Sequence, residues 1–130
     1  MKNEYMKGYP IKEHKQPVKR YCQTLDLKNE PKLIAEYRKM HSQGKIWPEI
    51  PAGIREVGIL EMEIYLFDNR LFMIVETPFD FDWETAMKRL NTLPRQQEWE
   101  VFVSTFQQTA SQASSNEKWK MMERIFHLYE

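Results

Sequence analysis

Cysteine is nearly missing from this sequence. A single Cys22 among 130 residues leaves no intramolecular disulfide to form and no thiolate pair to hold a metal, so the expected setting is a reducing cytosol. No stretch approaches the roughly 20 apolar residues of a membrane span, and no apolar secretory segment follows the first residues. Neither sign of charge prevails: Lys and Arg together number 19, as do Asp and Glu. No global field therefore draws the chain to nucleic acid, a membrane surface or an acidic partner. Walker loop, GxGxxG, paired Cys, HExxH and nucleophile elbow are all absent. The three histidines, His14, His41 and His127, have no metal-ligand spacing.

Aromatic side chains, by contrast, make up 13% of the chain, enough ring surface for a compact core or for a pocket that stacks on sugars or flat ligands. The length suits one domain, burying about 65% of the unfolded surface. Residues 1–18 carry Gly8, Pro10 and Pro17 without an apolar period. They read as a flexible N-terminal extension, with His14 in solvent. The domain proper is expected over 19–130. Lys19–Leu27 alternates with a period of two, as a strand does. Asn29 can cap a helix with Pro31 in its first turn, running to about Ser42, and Gly44 stops it. Pro48 opens a shorter helix with Ile50, Ile54 and Val57 at helical spacing, ended by Gly58.

Ile59–Leu66 is the clearest strand, with Leu60, Met62, Ile64 and Leu66 on one face. Asp68-Asn69 turns it into Arg70–Thr77, a hairpin closed by Pro78. Asp80 or Asp82 caps a third helix whose face is Phe79, Trp83, Met87 and Leu90. Thr92 and Pro94 open a fourth, with Trp99, Phe102 and Phe106 on one side. Gln107–Lys118, rich in Ser, Gln and Ala, reads as a mobile loop, and Met121–Tyr129 as a last strand. The order strand, helices, hairpin, helices, strand is the split βαβ or ferredoxin-like arrangement: an α+β fold with a four-stranded antiparallel sheet and helices on one face. Apolar residues on both strand faces favour covering the free face with a second subunit, hence a homodimer.

Function is to be sought around residues 36–50. Leu33, Tyr37 and His41 are four residues apart and stack along one helical face. That inward stripe ends in a phenol and an imidazole, which need partners when buried. Taken by itself, His41 reads first as a satisfied core or cap residue, since most buried polar groups are structural. The ordered set Arg20-Tyr21-Cys22-Gln23, Glu36-Tyr37 with His41, Ile46-Trp47-Pro48-Glu49, Gly58, Glu63-Ile64-Tyr65-Leu66, Leu71-Phe72, Glu76, Trp99 and Phe126 resembles the L-rhamnose mutarotase family. The likeness runs from about residue 19 to 128, and its most specific parts are Tyr-x-x-x-His and the Trp-Pro-Glu that follows.

The resemblance implies a dimeric α+β barrel and a cofactor-free epimerase acting on the anomeric carbon of a deoxy-hexose. It puts His41 on the proton-donating histidine, Tyr37 on a sugar-contacting tyrosine and Trp99 on a sugar-contacting tryptophan. Two positions depart from the pattern: Met62 stands for a substrate-contacting tyrosine, and Glu98 for a second tryptophan. Trp47, Glu49, Glu61, Tyr65 and Glu98 complete the candidates.

Exchange of α- and β-pyranose needs a proton given to the ring oxygen and one taken from the anomeric hydroxyl, work suited to a histidine. The base is left open among Glu49, Glu61 and Glu63. The other reading is a non-catalytic small-ligand-binding or interaction module on the same dimeric scaffold.

Overall fold

A computed structural model describes residues 4–110 and 113–129. Four strands form one sheet: β1 (Val18–Asp26), β2 (Glu61–Phe67), β3 (Arg70–Pro78) and β4 (Lys120–Met121), in the order β2-β3-β1-β4. Every neighbouring pair is antiparallel, which is the expected ferredoxin-like arrangement. The helices are α1 (Pro31–Met40), α2 (Glu49–Glu56), α3 (Trp83–Leu90), α4 (Gln96–Ser104) and the single turn α5 (Ser115–Lys118). Among the described residues no helix is long and apolar enough to cross a membrane.

Strand alternation divides the sheet into two faces. Gln23, Leu25, Leu71, Met73 and Val75 are buried beneath the helices, Val75 completely. Cross-strand pairing adds Met62 opposite Val75 and Ile64 opposite Met73 on the same side. The other face carries Cys22, Thr24, Phe72, Ile74 and Tyr65, all half-buried. The hairpin turns at Asp68-Asn69 with Phe67 opposite Arg70, and Asp68 takes the left-handed φ of +56° that a tight turn demands. Gly44, at φ +86°, swings the chain from the end of α1 toward Trp47-Pro48, a conformation that a side chain would strain.

Several boundaries differ from expectation, each for a local reason. Glu30, not Asn29, occupies the cap position of α1, without a side-chain hydrogen bond, and the helix ends at Met40. Of the two aspartates before α3, Asp82 is the cap: its carboxylate accepts from the Thr85 N–H at 3.3 Å. Phe79 lies outside that helix and is 69% exposed. Gln107–Lys118 is largely ordered structure, although residues 111–112 fall outside the described ones. Gln107 and Lys118 are buried, and Ser114 and Glu117 form a capping box that starts α5. The last strand shrinks to two residues because only Gln23 and Thr24 of β1 face it. Beyond one further bond, Met122 N–H to the Cys22 carbonyl at 2.8 Å, the tail runs exposed through Phe126 and Tyr129.

His14 does not sit in solvent. Its Nε2 lies 2.7 Å from the Glu76 carboxylate, which Arg20 also holds at 2.6 Å. Tyr9 packs edge-on against Tyr65 at 5.8 Å, so this part of the N-terminal segment lies over the helix-free face. Residues 1–3 are outside the described ones.

Candidate active site

The functional groups gather where the end of α1, the α2 region, β2 and α4 meet. The stripe on α1 delivers Tyr37, buried, and His41, half-buried, to the same place. Their rings lie 4.2 Å apart. His41 Nδ1 is 2.9 Å from the Tyr37 carbonyl oxygen. A carbonyl can only accept, so Nδ1 carries the proton there, and in the neutral ring Nε2 holds a free lone pair. Burial holds the His41 pKa below its ordinary value, and the backbone bond to Tyr37 offsets this only in part. Burial pushes the Tyr37 phenol well above its ordinary value, against the hydrogen bond from Gln107 and with the help of the Glu100 charge.

Trp99, from α4, stands edge-on to the imidazole at 5.3 Å. Behind it Trp47 packs against Trp99 at 5.1 Å and stacks on Phe102 at 5.5 Å, with the Arg95 guanidinium 4.1 Å over its own ring. This cluster fixes the Trp99 plane through packing alone.

These elements enclose a cavity of about 380 Å³, within the range of about 300–1,000 Å³ seen for small-molecule sites. Among the sequence candidates, Tyr37, His41, Met62, Trp99 and Glu61 all line it. Trp47, Glu49, Tyr65, Glu98 and Glu63 are not on its wall. Trp47 backs Trp99 from outside, and Glu49 lies 3.7 Å from Arg95. Glu98 is solvent-exposed and paired with the same arginine. Tyr65 is on the opposite sheet face, donating to Glu63 at 3.2 Å. Glu61 accepts from the Met62 N–H at 2.9 Å.

Part of the wall escaped the sequence reading. Glu100 lines the cavity, 7% exposed. One of its carboxylate oxygens is 2.8 Å from Lys118 Nζ and the other accepts from Gln96 Nε2 at 2.6 Å. Lys118, whose side chain is fully buried, also donates to the Glu100 backbone carbonyl at 2.7 Å. Burial raises the Glu100 pKa and lowers that of Lys118, each opposed by the charge of the other. Gln107 also lines the cavity; its amide donates to the Tyr37 hydroxyl at 3.3 Å. Its Oε1 is buried without a partner among the described residues. The signal for α4 was present, since Gln96, Trp99, Glu100 and Val103 follow i, i+3, i+4, i+7 and so share the inward stripe. Nothing in a Ser/Gln/Ala-rich stretch marks Lys118.

A family model described as L-rhamnose mutarotase matches residues 20–128. An L-fucose mutarotase from Xanthomonas campestris pv. campestris is 35% identical over 113 residues, covering 87% of this chain and 90% of its own. An L-rhamnose mutarotase from Burkholderia ambifaria is 33% identical over 90 residues, covering 68% and 81%. The fold matches the crystal structure of an L-rhamnose mutarotase from Formosa agariphila with a TM-score of 0.62 at 19% identity, over 85% of this chain and 98% of that one.

Proposed function

Because the chain belongs to the L-rhamnose mutarotase family, we propose that it is an isomerase interconverting the α and β anomers of a 6-deoxy-hexose. L-Rhamnose and L-fucose are the first sugars to test. The observation that carries this reading is the cavity itself, where His41 and Tyr37 from one helix turn meet Trp99 around a space of sugar size. In the proposed reaction His41 exchanges a proton at the ring oxygen. As imidazolium it protonates that oxygen while a base takes the anomeric O–H proton. The C1–O5 bond breaks, leaving an open-chain aldehyde. Rotation about C1–C2 presents the other carbonyl face. On closure, neutral His41 removes the proton from the O5 hydroxyl as it attacks C1. A group that both gives and takes a proton suits a step that runs in both directions. No net oxidation or reduction takes place and no carbon–carbon bond breaks, so the reaction needs no redox cofactor.

Trp99 and Tyr37 stack on the sugar C–H face, and the unpartnered Gln107 amide oxygen accepts from a hydroxyl. Met62 offers a thioether where the resemblance implies a tyrosine, and loss of one hydrogen bond costs on the order of 1 kcal/mol, about a fivefold change in affinity. Weaker use of L-rhamnose than by a protein carrying that tyrosine is therefore expected, partly restored by Met62→Tyr. The proposed working form is a cytosolic homodimer in which the segment before β1 docks on the domain through His14 and Tyr9. It engages neither nucleic acid nor membrane.

A non-catalytic sugar binder is the second reading, favoured by the loss of rings at Met62 and Glu98. Two-dimensional exchange NMR of α–β interconversion over a panel of aldoses separates the two. Catalysis is expected for at least one 6-deoxy sugar. His41→Asn should slow it by about 10²–10⁴ while the protein stays folded. A folded His41→Asn protein with an intact exchange rate would exclude this mechanism.

A further inference from the structure

The proposed reaction requires a second proton-transfer group, and the cavity walls narrow the choice. Among the described residues, Glu61 and Glu100 are the acidic residues that line the cavity, and strand alternation puts the Glu61 side chain on the helix-free face with Glu63 and Tyr65. Glu61 sits at the start of β2, half-buried, with one oxygen on the N–H of the next residue. Glu100 is set deeper, on the helix that also carries Trp99, one residue along from the ring that faces His41. Its position is fixed from two directions, by Gln96 one turn earlier on α4 and by Lys118 from α5. A carboxylate accepts about four hydrogen bonds. Two sites on Glu100 are taken by these partners, leaving lone pairs for a hydroxyl in the cavity.

We infer that Glu100 is the second catalytic group, exchanging the proton of the anomeric hydroxyl while His41 exchanges that of the ring oxygen. This rests on the mutarotase reading given above. The proton count balances. On ring opening Glu100 gains the O1 proton as His41 gives one to O5. On closure Glu100 returns a proton to O1 as His41 takes the one from O5. The pair thus carries one proton throughout, on one member or the other, and no water or co-reactant enters. Lys118 is a positioning residue: it holds the carboxylate and sets how readily it ionises. The other titratable groups around the cavity are Tyr37, Arg55 and Glu61; of these, Tyr37 is close enough for the Glu100 charge to act on its phenol.

The same contacts could serve only to fasten α5 to α4, and the test separates these roles. Glu100→Gln alone would strand a buried ammonium, so the informative change is Glu100→Gln with Lys118→Met, which removes both charges together. Exchange NMR on an aldose that the wild type accelerates should show the double variant slowed by about 10²–10⁴. Lys118→Met alone retains the carboxylate without its cation, so the ascending limb of its pH–rate profile should move to higher pH. A folded double variant exchanging at the wild-type rate overturns the inference and leaves the mutarotase reading standing. If the double variant does not fold, the Lys118→Met profile decides, and an unmoved limb overturns the inference. A wild type that accelerates no aldose overturns the mutarotase reading and this inference with it.

Discussion

The imidazole of His41 is held in a setting that disfavours its charge, and folding must carry that cost. Its folded pKa lies below its ordinary 6.5. Below that value the unfolded chain takes a proton that the folded chain resists, so stability is lost as pH falls from the ordinary value through the folded one. Glu100 works in the opposite sense, because its raised folded pKa makes protonation favour the folded state as pH falls. Between about pH 7.5 and about pH 5.5, the change in stability read by urea unfolding should be less favourable for the wild type than for His41→Asn. Glu100 is common to both proteins, so the difference isolates His41; equal slopes would mean that the imidazole is not burdened in the fold. Tyr37 and His41 were legible because four-residue spacing puts both on one helical face whatever the tertiary fold. Glu100 was not, because a charged residue between Trp99 and Val101 looks solvated until its burial and its distant cation are known.

At the scale of the element, α3 shows a local signal read correctly once two choices are reduced to one. Asp82 caps the helix through the Thr85 N–H, so Asp82→Ala should cost about 1 kcal/mol. For a chain of this size that lowers the melting temperature by about 4 °C. The exchange rate should be unchanged, since Asp82 is remote from the cavity wall; an unchanged melting temperature would show the cap to be idle. Long periodic segments such as β1, β3, α1 and α4 were readable because their burial pattern is written into alternation or helical spacing. β4 was misread for the complementary reason. Met122, Phe126 and Leu128 alternate as a strand would, but a strand also needs an edge to pair with, and this chain supplies two residues of one. α5 carried its own mark in Ser114 and Glu117, a capping box masked by the low-complexity run before it.

On the scale of the whole molecule, two apolar surfaces among the described residues are only partly covered within one chain, the first of them by the Tyr9–His14 segment. One is the helix-free sheet face around Phe72 and Ile74; the other is the exposed tail, with Phe126 74% and Ile125 89% accessible. A second copy related by two-fold symmetry is the commonest closed solution for such surfaces. Light scattering at micromolar concentration should therefore give twice the 15.8 kDa chain mass, and a mass of one chain would exclude the dimer. The arrangement of sheet and helices followed from element order alone. The docking of His14 on Glu76 did not, because a contact across 62 residues leaves no trace in local pattern.

The cavity wall also makes the protein its own optical instrument. Sugars are transparent where indole absorbs and emits, so the chemistry proposed here is silent to ordinary absorbance. Trp99 and Trp119 both line the cavity, and Trp99 stands beside the imidazole. Indole emission responds to the polarity around the ring and to a protonated imidazole in contact with it. The light from these two rings therefore carries information about both occupancy of the cavity and the charge state of His41, with no label attached.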